Sequence, residues 1–156
     1  MHTKTDTAFT YAASIKYGYL KQWYPWSQDI MKIMQMAIPI ARDMMDLPAY
    51  LNIHMGPLQK PHAVYQHTMR KVTIDPRKAK TLGQPFNSLC HELVHAEQFH
   101  QGRMSLGFRT LQWMGKPIKM ELRDYEKYKA QPWEAEAFER EVILAKTIAE
   151  KIKERL

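Results

Sequence analysis

A chain of 156 residues, 45% of them hydrophobic, can enclose one compact core and is too short for two ordinary domains, so a single domain over residues 1–156 is expected. No apolar stretch runs far without a charge or a proline, and Met1 to Thr10 has no apolar run behind a basic start. This argues against a membrane span or a secretory signal and for a cytoplasmic protein, and the lone cysteine, Cys90, argues against a disulfide-stapled scaffold.

Along the chain there is no repeat, low-complexity segment or Gly/Ser linker. A first helix is expected from about Phe9 to Trp23. A second follows Ser27, a good N-cap, with Ile30, Met31, Ile33, Met34, Ala37, Ile38, Ala41, Met44 and Met45 on one face and a kink at Pro39. The methionines read as core filling rather than as a promiscuous binding groove. Between Tyr50 and Asp75 the pattern shortens to strands over Leu51 to Met55, Ala63 to His67 and Arg70 to Asp75, read as a small meander. The net charge of +7 is densest here and just beyond (Arg70, Lys71, Arg77, Lys78, Lys80). These cations alternate with strand and turn residues, which fits a solvated face better than a nucleic-acid site. A helix then starts near Pro85 and stops before Gly102. The turn Met114-Gly115-Lys116-Pro117 predicts a hairpin joining Leu111 to Trp113 with Ile118 to Leu122, and a last helix opens at Pro132 and runs to the C-terminus. The fold class is α+β, a small antiparallel or mixed sheet packed on the Pro85 helix with further helices around it.

That central helix carries His91-Glu92-Leu93-Val94-His95. Residues four apart on a helix lie about 40° apart, so both imidazoles reach one metal ion with Glu92 beside them. Two neutral histidines leave Zn²⁺ Lewis acidic, and the adjacent carboxylate can take a proton from its water. Phe86, Leu89, Leu93 and Ala96 fall on the opposite side of the wheel, giving the helix one core face and one ligand face.

A catalytic zinc ion takes a third protein ligand and keeps one open position. No histidine follows His100, which points away from His91, so the third ligand is expected to be acidic. Glu134, Glu136 and Glu141 are the candidates. Glu134 shares a face with Ala137, Phe138, Ala145, Ile148, Ala149 and Ile152, whereas Glu136 lies with Arg140, Glu150 and Glu154 on the charged side. A carboxylate heading an apolar stripe needs a partner, and a metal on the neighbouring helix supplies one; capping and helix-dipole work is the competing account. Glu141, two turns after Glu134, is read either as an acceptor behind a ligand histidine or as a partner for a nearby cation. Tyr125 and Tyr128 are candidate hydrogen-bond donors to an oxyanion. Cys90 reads as a small buried residue, His54, His62 and His67 as ordinary strand or turn residues, and His2 as part of a disordered terminus.

HELVH on a buried helix, followed by Glu134-Ala135-Glu136-Ala137 on a later one, resembles the gluzincin branch of the zincin metallopeptidases. The resemblance implies a zincin-like fold, zinc as the metal and Glu134 specifically as the third ligand. It also implies that Lys71 to Asp75 lines the cleft and pairs edge-on with an extended substrate. HELVHAEQF, Trp113-Met114-Gly115-Lys116 and Pro132 to Ala137 together are similar to small zincin-like proteins of phage and bacterial genomes, over about the second half of the chain; a phage protein of this kind would act in the host cytoplasm. Gln98 and Gln101 depart from the metzincin pattern, and the later histidine ligand of SprT-like proteases is missing. Phe138 stands where many gluzincins carry an Asp or Asn that supports a ligand.

The expected function is zinc-dependent hydrolysis of a peptide bond in a protein or peptide substrate, with His91, His95 and Glu134 as ligands and Glu92 as general base. Two alternatives carry different signatures. A non-catalytic interaction protein whose zinc only staples two helices survives loss of Glu92. A basic nucleic-acid-binding module binds in a salt-dependent, zinc-independent way.

Overall fold

The computed structural model describes residues 27–59, 61–78 and 83–155; the helix expected over Phe9 to Trp23 lies outside them. Among the described residues the chain is a mixed α+β structure with four α-helices and two three-stranded sheets. Helix α1 (Ser27–Met44) starts at the expected serine and continues through Pro39, which removes one main-chain bond without ending the helix. Met34, Ala37, Ile38 and Ala41 are buried at helical spacing, and Met34, Met45 and Met55 sit in the core as filling rather than as a groove.

The first sheet comprises β1 (Asn52–Met55), β2 (Ala63–Gln66) and β3 (Lys71–Ile74), in the order β1-β3-β2. It is not a meander, because β1 runs parallel to β3 while β2 runs antiparallel to it. Burial accounts for this order. Ile53, Met55, Val72 and Ile74 are all buried, whereas β2 is half-buried from Ala63 to Tyr65 and exposed at Gln66, so the two apolar strands pair under the helices and β2 takes an edge. Strand β3 is therefore central, and the edge pairing expected along Lys71 to Asp75 is not available to it. His67 leaves the expected strand to open a 3₁₀ turn (His67–Met69) that closes on Arg70 in the left-handed region, φ 46°. Asp75, just past β3, is buried and accepts hydrogen bonds from the main chain of Leu58 (2.8 Å) and the guanidinium of Arg77 (2.8 and 2.9 Å).

Helix α2 (Gly83–His100) holds Pro85 in its first turn, where a missing N–H costs little. It ends as expected at Gly102, φ +75°. The Gly102 N–H donates to the Phe99 carbonyl and the Arg103 N–H to the Gln98 carbonyl, the paired bonds of a Schellman cap. The second sheet, β4 (Met104–Leu106), β5 (Leu111–Trp113) and β6 (Lys116–Pro117), is antiparallel throughout. Its hairpin turns on Met114 and Gly115 alone, with φ of 52° and 81°, the signature of a two-residue type I′ turn. Trp113 consequently pairs with Lys116, and β6 ends at Pro117 rather than spanning Ile118 to Leu122. Strand β4 and the short helix α3 (Tyr125–Ala130), capped by Asp124 accepting from the Lys127 N–H at 3.1 Å, were not foreseen. Helix α4 (Pro132–Arg155) opens on the expected proline.

Helix α2 packs along α4, against the first sheet and against α1. Leu89, Leu93, Val94 and Ala96 of α2 meet Ala137, Leu144 and Ile148 of α4 in the core, which brings the ligand face of α2 against the first two turns of α4. Ala149, placed on that apolar face by the wheel, is exposed. No helix among the described residues is long and apolar enough to cross a membrane.

Candidate metal centre

Helical geometry brings His91 and His95 to one spot, one turn apart on α2, and α4 delivers Glu134 to them from its first turn. His91 Nε2 lies 2.9 Å from Glu134 Oε1, and His95 Nε2 lies 3.2 Å from both His91 Nε2 and Glu134 Oε1. Ligands at about 2.0–2.1 Å from a tetrahedral ion stand about 3.3 Å from one another, so three donors at this spacing fit one small cation. Among the described residues these three form the group of His, Cys, Asp and Glu side chains that can hold a metal ion.

The surroundings are built to hold positive charge. Burial works to lower the pKa of His91, but Glu134, Glu141 and Glu92 around it outweigh that effect and raise it. His95 is raised in the same way by Glu134 and Glu92. Burial pushes the Glu134 carboxyl upward, yet its hydrogen bonds to both imidazoles hold it well below the usual carboxylate range. Two imidazoles facing three carboxylates make a pocket that a divalent cation neutralises in place of protons.

Each histidine of the cluster is held from behind. His91 Nδ1 faces Glu141 Oε2 at 3.4 Å, which settles the two readings of Glu141 in favour of a histidine acceptor. His95 Nδ1 donates to Gln98 Oε1 at 2.9 Å, which turns Nε2 toward the cluster. Gln98 is fully buried, and its amide donates to the Trp133 carbonyl (3.0 Å) and to Glu136 (2.7 Å). Phe138, in place of a polar support, packs edge-on against His91 with ring centroids 4.6 Å apart. Glu136 is not a ligand: it accepts from Gln98, from Arg103 (2.6 Å) and from Arg140 (3.2 Å), a set of donors that keeps its carboxyl ionised against the cost of burial.

Glu92 is buried beside the cluster. Desolvation is the largest influence and raises its carboxyl above the ordinary value, against the pull of His95, His91 and the hydrogen bond it accepts from the Tyr65 main chain. That last contact ties Glu92 to β2. The Asp75 N–H donates to the His62 carbonyl at 2.9 Å, which marks His62 and Asp75 as a hydrogen-bonded pair. By antiparallel alternation, Ala63 and Tyr65 then turn their own N–H and C=O groups away from β3. The strand edge beside Glu92 is therefore that of Ala63 and Tyr65.

Tyr128 bonds to Glu134, and burial first, then Glu134 and Glu92, push its phenol upward, so it stays protonated. Tyr125 is largely exposed. Cys90 lies in the core with its thiol pushed by burial to about 12, which leaves it inert. His100 pairs with Asp46 at 3.4 Å on the surface, and His54 sits in β1. His67 stacks on Phe99 at 4.3 Å between ring centroids, and it and His62 border the cleft outside the ligand cluster. Gln98 was missed as a supporting residue, although it lies three residues after His95 and seven after His91, on the ligand face of α2. Comparison with protein-family models, with curated proteins and with solved structures finds no match.

Proposed function

We propose that the chain is a zinc-dependent peptidase with a zincin-like arrangement, in which His91, His95 and Glu134 hold the metal and Glu92 is the general base. The observation that carries this reading is the close set of three donors with a buried carboxylate next to them, opening on a cleft along a strand edge. Two imidazoles and one carboxylate are the donor set of one class of catalytic zinc. When bound, zinc supplies Lewis acidity that polarises a carbonyl oxygen and brings the pKa of a water in its open position to about 7.

The protein's own groups divide the remaining work. Glu92, with its carboxyl raised by burial, takes a proton from the attacking water and returns it to the amine nitrogen as the C–N bond breaks. In this reading the Tyr128 hydroxyl, which lines the cleft and bonds to Glu134, exchanges that bond for one to the oxygen of the tetrahedral substrate carbon. The Tyr65 N–H is taken by Glu92, so in this reading the outward groups of Ala63 and the Tyr65 carbonyl pair with the main chain of an extended substrate, the role first expected of Lys71 to Asp75.

The test is Glu92→Gln. Peptide hydrolysis is expected to fall by about 10²–10⁴ while zinc content, measured by elemental analysis, stays at one per chain. A variant that hydrolyses as fast as wild type would sink the mechanism, and a wild-type protein that takes up no added zinc would sink the metal reading beneath it.

A further inference from the structure

Two lobes, one of them distinctly more apolar than the other, meet at Glu92 and Tyr128, which line both, as do Pro61 and Ala63. One lobe, of about 410 Å³, is walled by Phe99, Met104, Leu106, Leu111, Met120 and Trp133, runs along β2 and alone continues past its far end, at Gln66 to Thr68. The other, of about 590 Å³, sets the polar groups of His62, Gln84, Asn87, Ser88 and Glu141 beside the rings of Tyr125 and Phe138 and lies beside the near end, at Pro61 to Ala63. The shared residues make them two halves of one cleft, with Glu92 at the waist. Ala63 directs its N–H and carbonyl, and Tyr65 its carbonyl, along this edge, while the Tyr65 N–H bonds to Glu92.

Antiparallel pairing is the stronger mode of strand addition. A peptide added to β2 in that sense runs from Thr68 toward Pro61. Its residues on the amino side of the bond at Glu92 then enter the apolar lobe, and those on the carboxyl side enter the polar one. Resting on the peptidase reading above, we infer that the cleft selects a bulky apolar side chain before the scissile bond and a hydrogen-bonding polar side chain after it. The apolar lobe gains from each apolar carbon it removes from water. The polar lobe discriminates by penalty, since an apolar side chain placed there strips water from Asn87, Ser88 and Glu141 and returns no hydrogen bond.

The experiment uses the zinc-loaded full-length Glu92→Gln protein and four blocked peptides, acetyl-Ala-Ala-Xaa-Yaa-Ala-Ala-amide, with Phe-Asn, Ala-Asn, Phe-Leu or Asn-Phe in the middle. Isothermal titration should find Phe-Asn the tightest, with Ala-Asn and Phe-Leu each about tenfold weaker and Asn-Phe weaker than either. Met120 and Asn87 are exposed, so substitution there spares the core. Met120→Asp should erase the advantage of Phe alone, and Asn87→Leu that of Asn alone. Equal affinities, a preference for Asn-Phe, or variants that weaken all four peptides alike would overturn the inference. Mapping the cuts made by wild-type protein in the same peptides separates it from the reading beneath. Cleavage without preference for the Phe-Asn bond overturns the specificity and leaves a peptidase. Ordered binding with no cleavage keeps the cleft assignment and removes the catalysis; neither binding nor cleavage overturns both.

Discussion

Behind each metal-facing imidazole nitrogen stands an oxygen that fixes the ring, Glu141 for His91 and Gln98 for His95. These two contacts come from opposite helices, α4 for Glu141 and α2 for Gln98. Gln98→Leu keeps the size and burial of the side chain but strips the acceptor from His95 Nδ1. Zinc affinity, read by competition with a chromophoric chelator, is expected to fall by about 10- to 100-fold, and an unchanged affinity would mean that packing alone orients the ring. His91, His95, Glu92 and Glu134 were legible in the sequence because a helix fixes which residues share a face. Gln98 obeyed the same rule and was still missed, since an amide carries no signal until the partner across the interface is known. Glu136 and Glu134 were separable on the wheel because one had an apolar neighbourhood and the other a charged one.

At the scale of elements, α1, α2 and α4 were readable from periodicity, with their ends marked by serine, proline and glycine. The strand order was not readable, because alternation reports which face of a strand is buried and says nothing of which strand lies beside it. The hairpin of the second sheet was placed correctly at its turn and wrongly in its partner strand, as a two-residue loop forces pairing to resume at once at Lys116. Asp75 shows what holds the end of β3. Burial raises its carboxyl, but the hydrogen bonds from Arg77 and from the Leu58 and Arg77 main chain outweigh this and leave it below its ordinary value. A carboxyl depressed in the folded state stabilises the protein fully above its unfolded pKa of about 3.9, and that contribution is lost as pH falls through the folded value. Asp75→Asn should therefore lower urea stability at pH 7, and the deficit should shrink below about pH 4. A deficit that is constant across this range would assign the role of Asp75 to geometry rather than to charge.

Across the whole molecule, the chain joins residues at very different separations. Strands β2 and β3 are linked by a single 3₁₀ turn and Arg70, whereas His91 and Glu134 stand 43 positions apart. Closing the longer loop carries the larger entropic cost, and non-local contacts form late. Zinc at one hundred times its dissociation constant is worth about 2.7 kcal/mol to the folded state, and that gain belongs to contacts made near the end of folding. Stopped-flow measurements should accordingly find refolding rates nearly the same with and without zinc and unfolding slowed by the metal; acceleration of refolding would place the α2–α4 pairing in the nucleus instead. The hairpin of β2 and β3 thus gives the chain a head start. Under the proposed function, the strand along which a substrate would lie is expected to form ahead of the pairing of α2 with α4, and the metal to enter only once His91, His95 and Glu134 have met.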